Sequence, residues 1–357
     1  MRIGIDAREV VGQATGVGRY LSGLLSEWVA TGATARHEFV LYAHAPLPSA
    51  PPQMTPRVLP GTSGAWWQQV TLPGAARADS LDVFFAPQYT APIFLNVPTV
   101  VVIYDVSFAA HPEWFRTREG IRLRALARAS AAQARAVVTI SEFSRREIAE
   151  YLRVNARDIH VIPPGVSVPA PASPKPRRGG GGLLYVGSIF NRRHVPDLIR
   201  AFASVARNHP DASLDLVGAN RTYPFEDIAA AIDREQPGAR ITWHSYASDE
   251  VLARLYREAR AFAFLSEYEG LGLTPLEAMA AGVPPVLYDT EIARESCGDA
   301  AVYVRRGDPS VLAQAIERVL YDEPARAGLL ASAPATLAKY DWPRAARETL
   351  DVIERCR

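Results

Sequence analysis

Short, β-branched apolar runs that alternate with helical segments constrain this chain more than any other feature. Residues 2–6, 38–42, 81–85, 99–103 and 136–140 are such runs, with helical spacing between them at 17–29 and 117–133. They lack the polar alternation of a half-exposed strand and so read as parallel strands buried on both faces. Strand and helix in turn make a doubly wound α/β domain. Ser141, directly after the fifth run, is placed to cap a helix. Residues 163–182 break the pattern: Pro-Pro-Gly is followed by Pro169, Pro171, Pro174 and Pro176, then by Gly179 to Gly182. This composition predicts a linker. Beyond it the alternation resumes, with apolar runs at 183–186, 213–217, 239–243, 261–265 and 284–287. Helices are expected near 196–207, 226–235 and 248–259, and from Pro275. The predicted organisation is a first Rossmann-like domain over 1–165, a linker over 166–182 and a second Rossmann-like domain over 183–340. A last helix is expected at about 341–357.

A chain of 357 residues exceeds what one ordinary core serves, which agrees with two domains. A 48% hydrophobic fraction, 22% charged residues and a net charge of +1 exclude a disordered chain and give no electrostatic case for nucleic acid. No run approaches the roughly 18 apolar residues of a spanning helix, and the first residues lack the plan of a signal peptide. The expected location is the cytoplasm. Cys297 and Cys356 form neither a metal spacing nor a disulfide framework. One charge cluster stands out: Arg116, Arg118, Arg122, Arg124, Arg128 and Arg135, opposed only by Glu119. It reads either as a solvated helix face or as a surface for anionic membrane or a phosphorylated lipid.

The segment 266–282 carries the chemistry. Gly270, Leu271 and Gly272 form a glycine-rich loop after a strand and before a helix, so a diphosphate can approach the amides of Leu273 and Thr274. Glu269 and Glu277 flank the loop, and a carboxylate accepts two hydroxyl hydrogen bonds, as a sugar diol requires. Two readings of Glu277 stand, because Thr274-Pro-Leu-Glu277 is also a capping box. Glu269 is either a ligand contact or simply solvated. Gly16 and Gly18 open a helix after the first strand and suit either phosphate or a tight turn. A dinucleotide fingerprint fails there, since Leu21 replaces its third glycine. No Asp-x-Asp triplet and no Gly-x-Ser-x-Gly elbow occurs, so neither a catalytic metal nor a simple serine hydrolase is expected.

The spacing of Glu269 and Glu277 resembles the E-x7-E signature of the family 4 retaining glycosyltransferases. Their GT-B fold sets two Rossmann-like domains facing across a cleft. Segments 15–20, 140–144, 162–165, 184–188 and 249–256 also resemble that family and follow its order. The resemblance implies that Glu277 binds the nucleotide ribose, Glu269 the transferred sugar, and Gly270 to Thr274 the sugar and phosphates. It places Gly16 and Gly18 opposite the donor phosphates, and puts Arg192 and Arg193, where the family commonly has Arg-Lys, on the leaving diphosphate. Guanidinium forks suit that developing charge. Tyr104 and Asp105 stand where the family commonly reads His-Asp. Tyr104 either hydrogen-bonds the sugar or marks altered donor choice or impaired activity. Asp105 is either an acceptor-side positioning group or a turn carboxylate. The implied activity is retaining, metal-independent transfer of a hexosyl group from a nucleotide diphosphate sugar, with no cofactor. Nearness to mannosyltransferase-like members of bacterial polysaccharide biosynthesis makes GDP-mannose the first donor to consider. The implied acceptor is a glycan or lipid-linked saccharide at the inner face of a membrane. An epimerase or phosphorylase on the same fold, or a non-catalytic sugar-nucleotide-binding subunit, are the competing readings.

Overall fold

The computed structural model describes residues 1–12, 16–167, 181–235 and 238–357, so the expected linker lies mostly outside the described residues. Two compact units result: Met1–Gly165 with Tyr340–Arg357, and Val166–Lys339.

In the first unit the strands are β1 (Arg2–Asp6), β2 (Glu38–Ala43), β3 (Thr55–Val58), β4 (Val83–Ala86), β5 (Thr99–Val102), β6 (Ala136–Thr139) and β7 (Ile159–Val161). Among the described residues they form one sheet in the order β3-β2-β1-β4-β5-β6-β7. Every pairing is parallel, with Ile3 beside Phe39 on one side and Val83 on the other. The central strands β4, β5 and β6 are buried at every position. Burial on both faces explains their uninterrupted apolar sequence. Ser141 caps the helix Glu142–Leu152, its Oγ accepting from the Ser144 amide. Neither β3 nor β7 was expected. All four residues of β3 are exposed and one is Pro56, which only an edge strand tolerates.

A terminal helix, Trp342–Arg355, completes this unit by packing on the helix Gly16–Ala30. The Trp28 indole donates to the Ala346 carbonyl at 2.9 Å. The Trp342 ring fits only because its neighbours have no side chains. A Cβ on Gly23 would stand 2.6 Å from that ring, and one on Gly165 only 2.1 Å.

The second unit contains β8 (Gly182–Val186), β9 (Ser213–Val217), β10 (Arg240–His244), β11 (Ala261–Phe264), β12 (Pro285–Tyr288) and β13 (Val302–Val304). The order is β10-β9-β8-β11-β12-β13, again parallel throughout. Tyr185, Phe202 and Phe262 are fully buried in its core. The helix Val195–Asn208 buries Val195, Leu198, Ile199, Phe202 and Val205, an i, i+3, i+4, i+7 stripe. The order of each sheet reverses once, between β1 and β4 and between β8 and β11. Open parallel sheets hold their ligands outside the carboxyl ends of such strands.

Packing against Trp342 makes a sign-reversing prediction. Gly23→Ala should cost about 1–3 kcal/mol in the native chain by overpacking the ring. In a Trp342→Ala background the same change should instead stabilise by up to about 1 kcal/mol, because Ala is the better helix former. Urea unfolding of the four proteins checks this; a loss of the same size in both backgrounds would refute the packing.

Candidate functional site

The reversal point of the second sheet gathers loops from β8 and β11. Gly187, the first residue beyond β8, has φ 146°, and a Cβ there would sit 2.8 Å from Arg193 Nη1 and 3.3 Å from the Phe264 ring. Glycine is what lets the Arg193 guanidinium lie back over the strand end. Its centre stands 4.8 Å from the Phe264 ring and 5.4 Å from Phe190. Nη1 donates to the Ser188 carbonyl at 2.8 Å, and Nε donates to Glu269 Oε1 at 2.8 Å. Ser266 Oγ donates to the same carboxylate oxygen, also at 2.8 Å. The Arg193 and Glu269 side chains are only 13% and 17% exposed. Burial alone would raise the Glu269 pKa, but Arg193 and then Arg192 outweigh it and hold the carboxyl below its ordinary value. Burial likewise opposes the charge on Arg193, and Glu269 overrides it. The site therefore keeps an ionised carboxylate near neutral pH. Arg192 lies with its guanidinium 4.3 Å from the Phe190 ring, and its carbonyl accepts the Glu267 amide at 3.0 Å, which ties the two loops together.

Directly beyond Glu269, the buried Gly270 and Leu271 lead to the helix Leu273–Ala280. Gly272 is its N-cap, with φ 84°, and no side chain makes a capping bond. The capping-box reading of Thr274 and Glu277 is corrected here: the helix starts two residues before Pro275, so Thr274 is already inside it. Thr274 Oγ1 is buried without a hydrogen-bond partner among the described residues. Glu277 Oε2 instead accepts from the Tyr256 hydroxyl at 3.2 Å, which orients it from the neighbouring helix Asp249–Glu258. The first amides of a helix have no partner within it, and the dipole is positive there. The structure thus joins Arg193 to Glu269, with Arg192 and an uncapped helix terminus beside them.

The residues singled out in the first unit fare differently. Gly16 and Gly18 begin the helix Gly16–Ala30, with Gly18 buried in it. Tyr104 is 8% exposed, and its hydroxyl donates to the Pro87 carbonyl at 2.9 Å. Burial, with Tyr20, Tyr89 and Glu9 nearby, pushes its pKa well above the ordinary value. The Tyr104 hydroxyl is thus held on the protein's own backbone. Asp105 accepts the Ser107 amide at 2.8 Å on one oxygen and the Tyr89 hydroxyl at 3.0 Å on the other. Its carboxylate shapes the turn after β5. Of the clustered arginines, Arg116, Arg118, Arg122, Arg128 and Arg135 are exposed, whereas Arg124 reaches the Phe108 carbonyl at 3.3 Å. No described helix is long and apolar enough to cross a membrane.

One cluster at the carboxyl edge of the first sheet escaped the sequence reading. Asp6 and Arg8 are both buried and paired, Nε to Oδ1 at 2.9 Å and Nη2 to Oδ2 at 2.8 Å. Nη2 also donates to Gln88 Oε1 at 2.9 Å, across the reversal from β1 to β4. The available signal was Asp-x-Arg at the end of an otherwise apolar strand.

The family described as Glycosyltransferase Family 4 matches residues 14–169, and Glycosyl transferases group 1 matches residues 174–334. The O-antigen chain mannosyltransferase B of Escherichia coli is 25% identical, over 76% of this chain and 74% of its own. The glycogen synthase of Mycobacterium tuberculosis is 30% identical, over 72% of this chain and 63% of its own. Anabaena HepE, crystallised with UDP and glucose, shares the fold at a TM-score of 0.75 and 17% identity, covering 99% of this chain and 100% of that one. Matched by consecutive family models along most of its length, the chain belongs to the family 4 glycosyltransferases and has the GT-B fold.

Proposed function

We propose that this enzyme transfers a hexosyl group with retention from a nucleotide diphosphate sugar to a glycan or lipid-linked acceptor, with GDP-mannose as donor. The observation that carries this reading is the half-buried Arg193–Glu269 pair set beside the uncapped helix terminus at Gly272. An ionised Glu269 accepts hydrogen bonds from sugar hydroxyls, and Glu277, steadied by Tyr256, accepts from the ribose diol. The amides of Leu273 and Thr274, with Arg192, receive the diphosphate. When the bond from the sugar's anomeric carbon to the phosphate oxygen breaks, the electron pair stays on that oxygen, where this positive field stabilises it. The acceptor oxygen bonds the anomeric carbon, and its proton passes to the departing phosphate. Arg193 positions Glu269, and in this reading no metal or other cofactor takes part. The E. coli mannosyltransferase supports mannose as the sugar, and HepE, a fold relative held with UDP and glucose, supports a nucleotide-sugar donor.

The exposed arginines on the helix Thr117–Gln133, with Ile121 54% exposed among them, support contact with an anionic membrane face. A lipid-linked acceptor is presented there.

Three outcomes are expected. GDP-mannose should raise the melting temperature more than UDP, ADP or dTDP sugars do, and Glu269→Gln or Arg192→Ala should each cut GDP release by about 100-fold or more; near-normal turnover in either variant defeats the assignment. The stability difference between the native chain and Glu269→Gln depends on pH in a defined direction. Because Arg193 and then Arg192 outweigh burial and depress the folded-state pKa of Glu269, the stabilisation from its charge is present above the unfolded value of about 4.3 and is lost as pH falls through the folded value. Urea unfolding across that range should show the gap closing on the acid side, and a constant gap contradicts it. Finally, the chain should cosediment with vesicles containing phosphatidylglycerol, and a variant with Arg118, Arg122 and Arg128 changed to Glu should remain in the supernatant. Binding that survives the triple change rules out this helix as the contact.

A further inference from the structure

Arg192 and Arg193 ride on one short helical turn, Asn191–Arg193, and both ends of that turn are held. At its start the Asn191 side chain is engaged by the loop after β9. Its Nδ2 donates to the Pro224 carbonyl at 3.0 Å and to Glu226 Oε1 at 2.9 Å, and its Oδ1 accepts the Tyr223 amide at 2.6 Å. At its end stands His194, with φ 45° and ψ 41°. A residue with a Cβ rarely enters that left-handed conformation unless its surroundings hold it there. Here the ring is what they hold. The His194 side chain is 13% exposed, with Nδ1 3.7 Å from Asp197 Oδ2 on its own helix and Nε2 3.4 Å from Glu267 Oε2 in the loop after β11. Nε2 is buried and makes no hydrogen bond among the described residues, so the contact is one of charge.

A neutral imidazole has one N–H and one lone pair, so in either tautomer a lone pair would face a carboxylate. Only the imidazolium offers a proton to both. The charges around the ring favour the same form. Arg200 pairs with Asp197 and Arg306 with Glu267, while Glu226, Asp227 and Arg234 share with His194 the wall of a cavity of about 340 Å³. Arg193 is committed to Glu269. Asp197, Glu267, Glu226 and Asp227 against Arg200, Arg306 and Arg234 thus leave one negative charge unmatched. Tyr288, whose ring lies 5.5 Å from the imidazole, supplies no charge: burial, then Asp197, push its hydroxyl up to about 12.

We propose that His194 is a positioning residue for Arg192: as an imidazolium it bridges Asp197 and Glu267, ties the turn after β8 to the loop after β11, and so fixes the guanidinium that receives the diphosphate. Loss of the ring proton frees one carboxylate and leaves the left-handed residue unheld. The turn then relaxes and Arg192, still charged, drifts from the leaving group. The part given to Arg192 rests on the transferase reading above; the charge on the ring does not.

Two measurements on the full chain test this. The first needs no donor: with ¹⁵N-labelled histidine, the His194 ring signal is identified by its absence from His194→Asn. Both ring nitrogens should carry protons at about pH 6.5, and a neutral ring there overturns the proposal. The second follows GDP release from GDP-mannose. Asparagine tolerates the left-handed backbone but cannot take a charge, so His194→Asn removes the bridge alone. Native kcat should fall about tenfold between about pH 6.5 and 8.5, whereas His194→Asn should already be about tenfold slower at the lower pH and fall no further, with KM within about twofold. A merely structural His194 predicts the same pH profile in both proteins, and that result overturns the proposal. Should His194→Asn fail to fold, Glu267→Gln decides, since a neutral ring can satisfy an amide. Its alkaline fall should shrink to within about threefold, and an unchanged fall overturns the proposal. No turnover by the native chain sinks the donor reading instead, and the ring measurement then decides the charge on His194 by itself.

Discussion

A carboxylate and a guanidinium, each less than a fifth exposed, meet where the second sheet reverses, and neither would be stable there by itself. Their desolvation is offset by mutual attraction and by fixed partners: Ser266 on Glu269, and the Ser188 carbonyl and two aromatic rings on Arg193. Several sequence choices follow from this pair. Gly187 must lack a side chain to admit the guanidinium, and Phe264 must end β11 to flank it. Geometry also divides the labour between the two arginines. Arg193 spends its Nε on Glu269 and its Nη1 on the Ser188 carbonyl, whereas the Arg192 guanidinium lies over the Phe190 ring.

The strands were legible because both faces of each sheet are covered. A strand buried on both sides needs apolar, β-branched residues at every position, and a run such as Thr-Val-Val-Val at β5 has no other economical use. Where that condition lapses, the signal lapses too: β3 is an exposed edge, and β7 and β13 are three residues each. The helix Leu273–Ala280 was misplaced by two residues for a different reason. Pro275 suggested a first helical position, yet a proline anywhere in the first turn costs no hydrogen bond, and Gly272 in the left-handed region already turns the chain.

Side-chain pairing was far less legible. Glu269 and Arg193 were each singled out as separate ligand contacts, but 76 residues separate them, and nothing local shows that one holds the other. Glu277 looked like a cap because its spacing from Thr274 is right for one; only the position of Tyr256, on another helix, shows what orients it. Tyr104 carried the opposite difficulty. Its place in the family pattern suggested chemistry, whereas its hydroxyl is buried on a backbone carbonyl. Arg8 and Gln88 drew no notice at all, since each is an ordinary loop residue until the sheet brings β1 and β4 side by side.

Each sheet therefore meets the same problem at its reversal point and answers it with an ion pair, but the two answers differ in what they present. In the second unit the guanidinium follows β8 and the carboxylate follows β11, so the pair itself spans the gap and leaves an ionised oxygen pair with remaining lone-pair sites. In the first unit both charges follow β1, the carboxylate is consumed by its own neighbour, and the span to β4 is made by a neutral amide. The carboxylate of the second unit stays charged because Arg193 and Arg192 outweigh its burial. The asymmetry in charge is fixed by which strand end carries the arginine.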